Sequence, residues 1–115
     1  MPSTTRCKRG DIVLVPFPFT DLSSSKRRPA LVISPDVFND RMQDVVLAAI
    51  TSQLSSEHAV TIEQGDCVDG KLPKTSVVKL VKIFTIHSTL VIRKLCGLRE
   101  DKVTAVLGEM RQFFS

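Results

Sequence analysis

Val45-Val46-Leu47-Ala48-Ala49-Ile50, VVLAAI, is apolar at every position. A strand points successive side chains to opposite faces, so a strand apolar at both parities belongs inside a sheet covered on both sides. The run ends in Thr51-Ser52-Gln53. Alternation puts Thr51 on the face of Leu47 and Ala49, with its hydroxyl emerging where apolar side chains give way to hydrogen-bonding ones. Those three residues either grip a substrate at the end of a rigid strand or cap the strand's own backbone.

Further strands flank this one. Asp11 to Phe17 (DIVLVPF) is rich in β-branched residues, and Pro16 and Pro18 remove donors on one side. That places this end at a sheet edge or where the ladder stops. Phe19 to Arg28 reads as a polar loop and Ala30 to Ile33 as a second strand, with a short helical turn around Val37 to Asn39. His58 to Ile62 alternates as a strand, and Gln64 to Lys74, with Gly65, Gly70 and Pro73, is a long turn-rich loop. Thr75 to Val81, Phe84 to Ile86 and Ile92 to Cys96 are expected to be strands, with Gly97 breaking the last.

The period then changes. Val103, Val106, Leu107, Met110, Phe113 and Phe114 follow helical spacing from about Glu100 onward. Glu100 and Asp101 fall in the first turn, where negative charge meets the positive helix end. The pattern predicts a mainly β fold with a C-terminal α-helix covering the open side of a small barrel-like sheet. At 115 residues a single domain over residues 1–115 is expected.

The net charge of +4 and pI near 9.2 favour an anionic partner without distinguishing RNA, DNA, an acidic peptide or a membrane surface. A hydrophobic content of 43% is high for a small monomer, which points to a homodimer. Cys7, Cys67 and Cys96 are odd in number and widely spaced, so neither a disulfide framework nor a zinc site is expected, and no cofactor is called for. Polar residues 1–8 do not read as a signal peptide, and no run approaches membrane-spanning length. The expected location is the cytoplasm.

Lys26-Arg27-Arg28 stacks like charge immediately before Pro29. The proline restricts Arg28 to extended angles, and the strand behind it anchors a guanidinium fork suited to phosphate. The other reading is a solvated surface loop. Lys79 and Lys82, with Lys71 and Lys74, either extend a positive groove or form a solvated face. Phe19, beside Phe17, is a candidate for base stacking. His58 shares parity with Val60 and Ile62, which assigns it a structural place on the core face; His87, past Ile86, is expected to be exposed. Neither is assigned as a base.

Arg9-Gly10-Asp11-Ile12, Arg28-Pro29-Ala30-Leu31-Val32-Ile33-Ser34 and Ala49-Ile50-Thr51-Ser52-Gln53 together resemble the PemK/MazF family of toxin endoribonucleases. Ser76-Val77-Val78-Lys79, Ile83-Phe84-Thr85-Ile86 and the terminal helix extend the likeness over residues 9–114. The resemblance implies an SH3-like barrel, a homodimer, metal-free cleavage of single-stranded RNA and a cognate antitoxin, expected to carry an acidic segment, in the RNA groove. It implies Arg28 and Thr51 as catalytic residues; Lys26, Arg27, Phe19, Ser52, Gln53, Lys79 and Lys82, read from the residues themselves, are the candidate RNA contacts. Cleavage is then expected to use the substrate's 2′-hydroxyl, leaving a 2′,3′-cyclic phosphate and a 5′-hydroxyl. A guanidinium with a pKa above ~12 serves as a charge stabiliser rather than an acid. The chain departs from the family where a glutamate often precedes the arginine, here Leu22 to Lys26, and where an acid follows in the fifth strand, here Val81. The general base is therefore unassigned. Two rivals remain: a gyrase-binding toxin of the CcdB type, which shares the fold, and a catalytically silent barrel that binds nucleic acid or protein.

Overall fold

The computed structural model describes residues 6–16 and 26–115. Seven strands, β1 (Asp11–Pro16), β2 (Arg27–Val32), β3 (Asp44–Thr51), β4 (Ala59–Ile62), β5 (Cys67–Gly70), β6 (Ser76–His87) and β7 (Arg93–Leu98), form one antiparallel sheet. Their spatial order is β4-β6-β3-β2-β1-β7-β5. Among the described residues two α-helices accompany the sheet, α1 (Asp36–Arg41) between β2 and β3, and α2 (Glu100–Phe113) at the C-terminal end. The sheet curls into a half-barrel, so the mainly β class with a terminal helix holds.

β3 is an interior strand, and both its parities are buried for a visible reason. Ala48 and Ile50 join one core with Ile12, Leu31, Ile62, Val78 and Val106, while Val45 and Leu47 join a second with Val13, Val15, Ala30 and Val32. Helix α2 seats Val106 and Met110 in the first core. Its stripe does not run to the end, because Phe113 and Phe114 are exposed.

Several local expectations change. β1 lies inside the sheet, between β2 and β7; Pro16 is where its ladder ends, paired with Arg27. Phe17, Pro18 and Phe19 lie outside the described residues. Arg27 and Arg28 belong to β2 rather than to a loop, since they pair with Pro16 and Val15. The presumed loop of residues 64–74 contains a 3-10 turn and the short strand β5. β6 is one strand of 12 residues. Its polar interruption at Lys79 to Lys82 is absorbed by a register slip, Ala48 opposing Ile83 while Ile50 opposes Val78. Gly97 sits inside β7 instead of ending it, its N–H bonded to Asp69 Oδ1 at 2.6 Å. His58 is exposed with φ of +52°, and its ring lies against Phe113, tilted by 57° with centroids 5.1 Å apart, off the core face assigned to it by parity.

Candidate functional site

The register of β2 against β3 explains how two distant residues meet. The last pairs are Val32 with Leu47, Leu31 with Ala48 and Ala30 with Ala49. Carried two residues further, the same register sets Arg28 across from Thr51 on one face of the sheet. The ladder stops before that point, and the strand ends part around a cavity of about 350 Å³.

Three segments line it. Lys26, Arg27, Arg28 and Pro29 come from the start of β2, and Ile50, Thr51 and Ser52 from the end of β3. Leu72, Pro73, Lys74 and Ser76 form the remaining wall, leading into β6. Every charged side chain in this lining is a cation. Four positive charges gathered in one lining create a field that concentrates anions.

Pro29 holds Arg28 extended, as the pairing of Arg28 with Val15 requires. The Thr51 Oγ1 accepts the Gln53 N–H at 3.2 Å, a local turn that positions the oxygen while leaving its proton as a donor. Thus Thr51 caps its own backbone and still faces the cavity. Ser76 is buried, and its Oγ donates to the Lys74 carbonyl at 2.9 Å.

The structure therefore gathers Arg28, Thr51, Lys26, Arg27 and Ser52 around one cavity. Gln53 contributes its backbone N–H to Thr51 and does not line the space. Lys79 and Lys82 lie on β6 away from it, Lys79 paired with Ala59 of β4. Ile50, Leu72, Pro73 and Ser76 were not anticipated at the site. Ile50 and Ser76 fall in the quoted motifs and Pro73 reads as a turn residue, but none of these marks the cavity, because contact between the entry to β6 and the end of β3 depends on sheet order.

The wall ahead of β6 is held by a charged clamp on β5. Asp69 accepts from Lys94 Nζ at 3.0 Å and from the Gly97 N–H. The Lys94 bond first, and the Gly97 bond second, hold the Asp69 carboxyl below the usual carboxylate range. His87, at the far end of β6, is exposed as expected and bonds Thr89 and Gln43 instead.

A family model described as the PemK-like, MazF-like toxin of type II toxin-antitoxin system matches residues 8–114. Among solved structures, a MazE-MazF structure from Deinococcus radiodurans aligns with a TM-score of 0.73 at 23% identity, covering 95% of this chain and 96% of that one. The Mycobacterium tuberculosis toxin MazF-mt6 aligns at 0.70 and 19% identity, covering 90% and 95%. An endoribonuclease from a mycobacterial species aligns at 0.67 and 18% identity, covering 96% and 88%. These likenesses concern the fold. No curated protein sequence matches the chain.

Proposed function

Because the chain belongs to the PemK-like, MazF-like toxins of type II toxin-antitoxin systems, we propose that it is a metal-independent endoribonuclease that cleaves single-stranded RNA. The observation that carries this reading is the meeting of Arg28 and Thr51 in one cavity whose charged lining, among the described residues, is cationic. In the proposed reaction the substrate's 2′-oxygen attacks the adjacent phosphorus and the bond to the 5′-oxygen breaks. The products are a 2′,3′-cyclic phosphate and a 5′-hydroxyl; one proton leaves the 2′-hydroxyl to solvent and one reaches the departing 5′-oxygen from solvent.

Negative charge grows on the phosphoryl oxygens as the new bond forms. The Arg28 guanidinium supplies fixed donors for it, and the Thr51 hydroxyl, its oxygen positioned by the Gln53 N–H, supplies another. Among the described residues neither a carboxylate nor an imidazole lines the cavity. Charge stabilisation and in-line positioning are the contributions these residues supply, and the general base stays unassigned. In the toxin's own system an antitoxin with an acidic segment would fill the same cationic cavity, and two copies of the chain would pair. The cytoplasm, where transcripts are found, is the proposed location.

The test is incubation of the purified chain with single-stranded RNA in EDTA, beside Arg28→Ala and Thr51→Ala. Each substitution is expected to slow cleavage by about 10²- to 10³-fold, the usual effect of losing one transition-state donor. The corresponding DNA should stay intact, since it lacks the nucleophile. Wild-type RNA left uncut would overturn the proposal, and arrest of DNA gyrase by the same sample would transfer support to a binding toxin.

A further inference from the structure

The wall of the cavity opposite β2 is a short segment, residues 71–75, between β5 and β6. Its path is tightly set. Gly70 has a φ of +77°, and a Cβ there would fall 2.0 Å from the Leu95 carbonyl oxygen, so only glycine lets β5 close onto β7 at this point. The Lys71 N–H donates to that same carbonyl at 3.1 Å. The Leu72 N–H donates to Gln64 Oε1 at 2.8 Å, and the Leu72 side chain is buried in the core that α2 covers. On the other side, Ser76 Oγ holds the Lys74 carbonyl. Lys74 is therefore anchored before and after, while its own side chain is exposed beside the cavity.

Some of the molecule's cations are taken up by carboxylates, namely Arg6 by Asp40, Lys94 by Asp11 and Asp69, Arg99 by Asp101 and Lys102 by Asp66, and others are not. Among the described residues no carboxylate pairs with Lys74. Sheet order then locates it relative to the reacting groups. β3 lies between β2 and β6, and Thr51 pairs with Val77. Thr51 is thus in the middle, with Arg28 on one side and the segment bearing Lys74 on the other. Neighbouring strands lie about 4.8 Å apart, so the two cationic walls stand about two strand spacings from each other.

We propose that Lys74 is a phosphate-binding residue of this site, holding the phosphodiester next to the one that Arg28 and Thr51 engage. The assignment rests on the endoribonuclease reading for its substrate and deepens it. It gives the RNA a direction across the strand ends, from β2 over β3 toward the entry to β6. Being a contact to backbone charge, it adds affinity without sequence preference.

The experiment uses the full chain and a mixed-sequence, single-stranded 2′-O-methyl RNA oligonucleotide, which lacks a free 2′-hydroxyl and cannot be cut. Fluorescence anisotropy gives Kd over a series of salt concentrations for wild type, Lys74→Met and Lys74→Arg. Lys74→Met is expected to weaken binding about two- to fivefold at low salt, as for loss of one exposed ionic contact. It should also lower the slope of log Kd against log salt by about 0.7, the value for one phosphate on a single strand. Lys74→Arg should keep the wild-type slope. On cleavable RNA, Lys74→Met should raise KM and leave kcat within about threefold, because the contact is made equally in ground and transition states. An unchanged slope and Kd in Lys74→Met overturn the assignment, even if Arg28→Ala abolishes cleavage. A lowered slope in Lys74→Met supports it as an anion contact, even if wild type cuts no RNA and the nuclease reading fails.

Discussion

Asp69 gathers a lysine and a backbone amide across a strand boundary, and its pH response follows from the direction of its shift. Its carboxyl is held low chiefly by Lys94 and then by Gly97, so its contribution to stability is present above the unfolded carboxylate value of about 3.9 and is lost as pH falls through the lower folded value. Lys94 is shifted upward, first by its bond to Asp69. Its contribution is present below the ordinary lysine value of about 10.4 and is lost as pH rises through the folded one. Asp69→Asn keeps an acceptor for the Gly97 N–H and removes the charge. Its Tm deficit relative to wild type should be steady between about pH 5 and 9 and shrink toward zero near pH 2; a deficit independent of pH would refute this account. The thiols give a second test at this scale. Cys96 is pushed up to about 12, by burial first and by its 2.9 Å contact with Cys67 Sγ second. Burial, and then the Asp11 carboxylate, raise Cys7. Thiolate is the reactive form, so iodoacetamide at pH 8 should leave both unmodified in the folded protein, read by peptide mass, and modify them after denaturation. None of these partnerships is visible in the chain order, because Asp69 and Gly97 meet only through the pairing of β5 with β7.

The elements differ in how far their patterns carried. In α2 the helical spacing is clear, and Val106 and Met110 are buried as the stripe requires, but Phe113 and Phe114 pass beyond the sheet they were expected to cover. Met110→Ala should therefore lower unfolding stability by about 2–4 kcal/mol through lost burial and a residual cavity. Phe114→Ala should change it by less than about 0.5 kcal/mol, as for an exposed substitution. Urea denaturation of the two variants decides the point, and equal losses would show that the stripe runs to its end. β5 is not legible in the sequence, because four residues with a glycine and a bulge carry no alternation long enough to read. β6 reads as two strands because Lys79 and Lys82 interrupt its apolar run, yet the register slip against β3 keeps it whole. Arg27 and Arg28 read as loop because charge outweighed the extended preference that Pro29 imposes.

Across the whole molecule, a modest positive charge matters less than where it collects. A net charge of +4 is spread over 16 basic residues, several of them neutralised in pairs, while four converge on one cavity. An acidic peptide should accordingly compete with single-stranded RNA for this chain, and its apparent affinity should fall steeply with salt. Competition measured by anisotropy checks this; a peptide that binds together with RNA would place its site elsewhere.

Burial on both faces at β3, the proline behind Arg28 and the change of period at Glu100 were decided by local residue order, because strand and helix periodicities depend only on near neighbours. The same order marked Arg28 and Thr51 as candidates through short motifs. Their convergence was decided by the β2–β3 register and the place where that ladder opens, and Lys74 was brought beside them by the sheet order β6-β3-β2. Those are long-range pairings, set by which apolar faces pack together, and no interval along the chain encodes them.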